Sequence, residues 1–396
     1  MNYILFDDNS WNSLLPLTFT RPVAEIRVGI LTIKEKWQKV LGAGTISFLT
    51  KEYLQRKYIQ NTTDDNILIN SSLLPWDNIA EEIKELSINQ ALLKDNTLIA
   101  VRLAKKDVSA FNLAEIGKYA IKEPTAEITR VIEPWQIFSI NDKAIKEDFQ
   151  LLTRQRESAS IDPTNTVFNA EQVFIEDGAT IRSSVLNAES GPIYIGKNAE
   201  VMEGCLIRGP FALGDHSVTK MGAKIYGGTT IGPGCKVGGE INNCVIFGYT
   251  NKAHDGFLGN SVLGEWCNIG ADSNTSNLKN NYAMVRLWSY EKEKFVPTGL
   301  TFCGLIMGDH SKCGINTMFN TGTVCGVNAN IYGSGFPRNF IPSFSWGGSS
   351  GFTGYKINKA LEVAEKVMTR RKLKLLDVEK DILTEVYDLT SQYRQD

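Results

Sequence analysis

Histidine is scarce in this chain of 396 residues: only His216, His254 and His310 are present. They are too widely separated in sequence to form a close pair of metal ligands. Cysteine is sparse and odd in number, seven in all, every one between Cys205 and Cys325. No two have the close spacing of a zinc site, so neither a disulfide framework nor a structural metal is expected. No apolar run approaches the roughly 20 residues that cross a bilayer. Met1 to Phe6 leads directly into Asp7 and Asp8, not into a signal-peptide core. The net charge of −2 supplies no basic field for nucleic acid or an anionic membrane. These absences predict a cytoplasmic protein with no nucleic-acid or membrane partner. Glycine is almost missing from both ends. Residues 1–155 hold four and residues 356–396 none, whereas 30 of the 34 lie between Gly178 and Gly354.

The glycine-rich stretch carries a period of six. One arm runs Ile195, Val201, Ile207, Leu213, Thr219, Ile225, Ile231, Val237. A second runs Met307, Cys313, Phe319, Cys325, Ile331. Neither an α-helix nor an alternating strand has this period. A triangular β-solenoid does, each side giving one inward residue at a fixed place. Cys313, Cys325, Ile195 and Val237 are therefore expected to point inward, the cysteines acting as small hydrophobes.

Three regions follow. Residues 1–155 mix short apolar runs with helical patterns: strands at Tyr3–Phe6 and Ile67–Asn70, helices at Ile30–Leu41 and Ile79–Leu93. Such alternation predicts an α/β domain with a largely parallel sheet. Residues 165–354 are the solenoid. Residues 355–396 place Ile357, Leu361, Ala364, Met368, Leu375, Ile382 and Val386 at helical spacing, an amphipathic tail packed on the solenoid or on a neighbouring subunit.

The solenoid register breaks after Val237 and is read to resume at Phe257, Leu263 and Ile269; a second break follows Asn277. Solenoid insertions leave one side of the stack and are frequent places for function. Between the breaks lie Asn251-Lys252-Ala253-His254, Asn268-Ile269-Gly270-Ala271 and Asn274-Thr275-Ser276-Asn277. His216 and His310 both occur in Gly-Asp-His-Ser, which reads as turn chemistry. His254 stands at the break beside Lys252 and Asp255. Its unperturbed pKa suits a general base.

The run Lys252 to Gly259, then Gly264 to Ala271, then Ser276-Asn277, resembles the acetyltransferase active-site region of the GlmU family. Those proteins are bifunctional glucosamine-1-phosphate N-acetyltransferases and N-acetylglucosamine-1-phosphate uridylyltransferases. The resemblance implies a left-handed parallel β-helix, acetyl-CoA as co-substrate and a homotrimer with sites between neighbouring coils. It implies His254 as catalytic base, Asn268 as a sugar-phosphate ligand, Asn277 as a substrate-positioning residue and Ala271 as an acetyl-CoA contact. Phe257 and Leu278 replace two tyrosines of the family pattern, so each lacks a hydroxyl for the substrate. Phosphate charge is then expected from Lys252, Lys224 or Lys279.

The order of parts is similar too: a nucleotidyltransferase-like domain, a solenoid, a short helical tail. Leu14-Leu15-Pro16-Leu17-Thr18 and Arg21-Pro22 resemble the segment after the nucleotide loop of sugar nucleotidyltransferases. The resemblance implies UTP as substrate, Mg²⁺ for nucleotidyl transfer and Arg21 as a phosphate ligand. The glycine-rich loop of that family is replaced by Asp7-Asp8-Asn9-Ser10-Trp11-Asn12-Ser13, and Asn70-Ser71 stands where an aspartate normally binds the metal. The expectation is an enzyme of UDP-N-acetylglucosamine biosynthesis that acetylates an amino-sugar 1-phosphate and transfers uridylyl. An acyltransferase with a purely structural first domain is one alternative. A non-catalytic scaffold or sugar-nucleotide-binding module is another.

Overall fold

The computed structural model describes residues 1–394. The chain divides into two compact units, and short pieces of the N-terminal region belong to the second.

The first unit comprises Met1–Leu14, Arg21–Ile26 and Leu31–Glu133. Its sheet is formed by β1 (Asn2–Phe6), β2 (Ser47–Leu49), β3 (Asp65–Asn70), β4 (Gln90–Lys94), β5 (Thr97–Ala104) and β6 (Ala120–Lys122). The order is β2-β1-β3-β5-β4-β6. β1 pairs parallel with β2 and β3, whereas β5 is antiparallel to both β3 and β4. β4 and β6 also pair parallel, so five strands run one way and the sheet is largely parallel, as expected, with β5 alone running against them. The strand expected at Tyr3–Phe6 is β1, and the one at Ile67–Asn70 lies within β3. The helix expected at Ile30–Leu41 spans Ile33–Leu41, started by a Thr32–Glu35 capping box and stopped by left-handed Gly42. The helix expected at Ile79–Leu93 ends at Lys84; its remainder is a turn-rich stretch that leads into β4. Asn89 has a φ of 64°, which no helix interior accepts. Asp95-Asn96, both left-handed, then close a hairpin into β5.

The second unit comprises Leu15–Thr20, Arg27–Ile30 and everything from Pro134 onward. The boundary expected near residue 155 therefore falls after two helices, Pro134–Ser139 and Asn141–Thr153, that group with the solenoid. The solenoid is a parallel β-helix of about ten turns, followed by C-terminal helices. Its three faces carry stacks of parallel strands. One begins at Thr166–Phe168, one at Val173–Ile175 and one at Thr180–Ile181. The predicted inward residues of both arms are all buried, including Cys313 and Cys325. All seven cysteines are buried free thiols.

The register does not stop after Val237. It shortens its step and continues through Ile241, Ile246, Lys252, Leu258, Leu263 and Ile269. Leu258 is therefore the inward residue, not Phe257, which is half-buried on the outside of its strand. Shorter turns, not a rupture, produced the apparent phase shift.

One face of the β-helix is covered from within its own unit. Helix Asn141–Thr153 packs on strand Thr229–Ile231, and helix Pro134–Ser139 on strand Val262–Glu265. Asn141 is fully buried and satisfies three groups: it accepts from Gly29 N–H at 2.7 Å and donates to Gly228 O at 2.8 Å and Thr230 Oγ1 at 3.0 Å. The tail forms helices Ile357–Thr369 and Asp377–Leu389. Ala364, Met368 and Leu375 bury against Trp266, and Arg371 donates to Asn251 Oδ1 at 2.9 Å. Among the described residues, no helix is long and apolar enough to cross a membrane.

Candidate functional site

The region read as the second insertion is a hairpin, Arg286–Ser289 with Lys294–Pro297. Its root adjoins the polar cluster. Asn251 and Asn268 are cross-strand neighbours on successive coils, and Lys312 lies beyond Asn268. From these strands the chain turns a corner, through His254 on one coil and through Ala271 on the next. The two turns are tied by Asp272 N–H donating to Asp255 O at 3.0 Å. Beyond the corner, Phe257 N–H donates to Asn274 Oδ1 at 2.8 Å. His254 and Ala271 therefore share one corner, with Asn268 leading into it and Phe257 leading out.

Asn277 sits at the far end of the strand that follows Ala271. Its amide donates to Asn260 Oδ1 at 2.8 Å, and its carbonyl accepts from Cys303 N–H at 2.9 Å. A Cβ on Gly259 would lie 2.5 Å from Phe257 Cζ and 2.7 Å from Asn277 Nδ2. Glycine at that place lets the Phe257 ring and the Asn277 amide converge. The site residues thus form two groups: His254, Ala271 and Asn268 around the corner, and Phe257 with Asn277 across the adjoining face.

His254 is exposed, and no side chain among the described residues hydrogen-bonds its imidazole. The turn around Ala271 offers one donor. Asn268, Gly270 and Asp272 N–H groups are all engaged with neighbouring coils, whereas Ala271 N–H meets no acceptor among the described residues. His216 and His310 take left-handed φ values of 58° and 61° in equivalent turns, as expected of turn residues. His310 is buried and stacks on Trp266, which stacks on Tyr249 at 4.4 Å.

Lys252 departs from expectation. It occupies the inward position, 1% exposed, in register with Val237. Its Nζ donates to His254 O at 2.5 Å and to Asp255 O at 3.3 Å. Burial pulls the ammonium down to about 8, partly opposed by Asp255. A side chain turned into the coil cannot reach a substrate phosphate outside it. No feature of the sequence distinguished this lysine from a solvated one.

In the first unit, the C-terminal ends of β1 and β3 carry a polar network. Asp8 forms an ion pair with Arg130 and accepts from Asn70 Nδ2 at 2.9 Å and Ser10 N–H at 2.9 Å. Burial alone would raise the Asp8 pKa; Arg130 and these donors outweigh it and hold the carboxyl below its ordinary range. Burial pushes Asp7 up to about 7, despite hydrogen bonds from Thr50 and Val23 N–H. Asn70 Oδ1 accepts from Ser72 N–H and Oγ at 3.0 and 2.7 Å. Arg21 is 5% exposed. Arg130 was missed in the sequence because its partner is more than a hundred residues away.

The expected Mg²⁺ does not fit this strand end. A hard cation needs charged oxygens free to coordinate it. Here Asp8 is held by a guanidinium, burial disfavours the charged form of Asp7, and asparagine stands where an aspartate was expected. Among the described residues, no group of three or more His, Cys, Asp or Glu side chains is arranged for a metal.

Residues 3–157 match a family model described as sugar nucleotidyl transferase. The bifunctional protein GlmU of Synechococcus elongatus is 25% identical over 248 residues, covering 57% of this chain and 50% of that protein. A bifunctional sugar-1-phosphate nucleotidylyltransferase/acetyltransferase of Sulfurisphaera tokodaii is 26% identical over 202 residues, covering 50% and 43%. The chain is thus similar to these two proteins over 57% and 50% of its length. GlmU of Methanocaldococcus jannaschii adds a shorter match, 34% identical over 89 residues and 22% of this chain. The chain spans half or less of the length of these curated relatives.

Proposed function

We propose that the β-helix transfers an acetyl group from acetyl-CoA to the amine of an amino-sugar 1-phosphate, glucosamine 1-phosphate being the first candidate. The observation that carries this reading is the shared corner of His254 and Ala271. His254 takes one proton of the substrate ammonium and the freed amine attacks the thioester carbonyl; the C–S bond then breaks, the leaving CoA thiolate takes the proton held by His254, and the second nitrogen proton passes to water. Ala271 N–H supports the developing oxyanion, since its hydrogen is not engaged elsewhere. Asn268 faces the sugar phosphate, and Asn277 positions the substrate beside the acetyl group. The names of the GlmU and nucleotidylyltransferase/acetyltransferase relatives agree with this chemistry.

For the first unit the family match supports uridylyl transfer from UTP, with Arg21 on the phosphates. The Asp8–Arg130 pair favours a second reading, in which this domain keeps the fold without the metal-dependent step. Separate assays decide. Acetyl-CoA consumption with glucosamine 1-phosphate is expected. UTP-dependent pyrophosphate release with N-acetylglucosamine 1-phosphate and Mg²⁺ is expected to be absent. Robust release would restore the bifunctional reading. Lack of acetyl-CoA turnover and binding would favour the scaffold.

The working assembly in this proposal is a homotrimer. Phe168, Leu206 and Tyr226 are exposed on the face of the β-helix that begins at Thr166–Phe168. Large apolar groups exposed on one face suit a subunit contact. Light scattering at micromolar concentration is expected to give the trimer mass; a monomer would count against it.

A further inference from the structure

We propose that Lys252 is a positioning residue for His254; this rests on the acetyl-transfer reading above. The inward column at this place runs Val237, Lys252, Ile269, Cys313, Ile331. Every neighbour in it is uncharged and buried. An ammonium in such surroundings is unfavourable unless its hydrogens are satisfied. Lysine is thus a poor choice for filling a solenoid coil, and its place needs another account.

The backbone supplies one. Two coils earlier, on the same face, the turn after Thr219 closes on itself, with Ala223 N–H donating to Lys220 O at 3.2 Å. The turn after Lys252 shows no such closure. There the carbonyls of His254 and Asp255 accept from the Lys252 ammonium. Asp255 O has a second donor in Asp272 N–H. His254 O has no other donor among the described residues. The lysine therefore anchors the main chain of the one residue whose imidazole must be held outside the coil. His254 itself has no side-chain partner to orient it, so its direction rests on its backbone. A base displaced by about an ångström can cost on the order of 10²-fold in rate.

The test uses the full chain with acetyl-CoA and glucosamine 1-phosphate. Lys252→Met keeps the length of the side chain and removes the donor. It is expected to lower kcat by about 10–100-fold, leaving KM for acetyl-CoA within about twofold. Lys252→Gln, which retains a shorter donor, should fall between Met and the parent. Lys252→Met placed on His254→Ala should cause no further loss, because the lysine acts through the histidine. Parental turnover in Lys252→Met overturns the proposal. So does an equal loss on both backgrounds, which would mark a purely structural effect. If the Met variant does not fold, Lys252→Gln carries the same comparison. Parental turnover in His254→Ala overturns the base assignment itself, and the lysine's role with it.

Discussion

Replacing His254 by alanine lowers acetyl transfer by about 10²–10⁴-fold, the usual worth of a general base. The affinity for acetyl-CoA should change little, because the imidazole acts on the amine and not on the thioester. The expectation is specific to one histidine of three. His310 is buried in an aromatic stack, and His216, though exposed, sits in a left-handed turn at a different corner from Ala271. His254 is exposed, shares its corner with Ala271, and has a lysine fixing its main chain. Steady-state kinetics of the three alanine variants separate the cases. If His254→Ala turns over normally while His216→Ala or His310→Ala is inactive, the chemistry lies at a different corner.

Much of the second unit was legible because a solenoid is a one-dimensional code. Each inward residue repeats at a fixed step, so Ile195, Val237, Cys313 and Cys325 could be assigned without tertiary information, and all are buried. The code failed where the step changed. Shortened turns between Val237 and Leu263 shifted the apparent phase by one residue at Phe257. They also hid the fact that Lys252 is itself an inward residue. Hydrophobic periodicity cannot report a charged side chain in a core position, because charge reads as surface.

The first unit was less legible for a different reason. Its helix at Ile33–Leu41 has a local signature in Thr32, Glu35 and Gly42. Its polar network has none. Asp8, Asn70 and Arg130 come together through sheet topology, which no local pattern displays. What the sequence did disclose was the loss of the glycine-rich loop. The geometry adds that the carboxylates left behind are engaged with protein groups.

Gly232→Ala should be the most destabilising glycine substitution in the covered face of the β-helix. Gly232 N–H donates to Ile246 O at 2.7 Å, so its backbone lies tight against the next coil. A Cβ there would lie 1.7 Å from Phe247 O and 2.5 Å from Phe247 C. Neither atom can retreat easily. Phe247 is 2% exposed, and its carbonyl also accepts from Arg27 Nε at 3.1 Å. Parallel strands stack at about 4.8 Å, and spreading one pair loosens the coils on both sides. The cost should reach or exceed about 1–3 kcal/mol, the range for overpacking a well-packed interior. Two other glycines separate crowding from backbone strain. Gly222 has open space around its Cβ but a φ of +71°, so alanine there should cost only about 1–2 kcal/mol. Gly44 has open space and no left-handed φ, so alanine there should be neutral or slightly stabilising. Urea or thermal unfolding of the three variants should rank Gly232→Ala well below Gly222→Ala, with Gly44→Ala at the parent. A Gly232→Ala protein that unfolds with the parent would mean that the coils yield more freely than this packing allows.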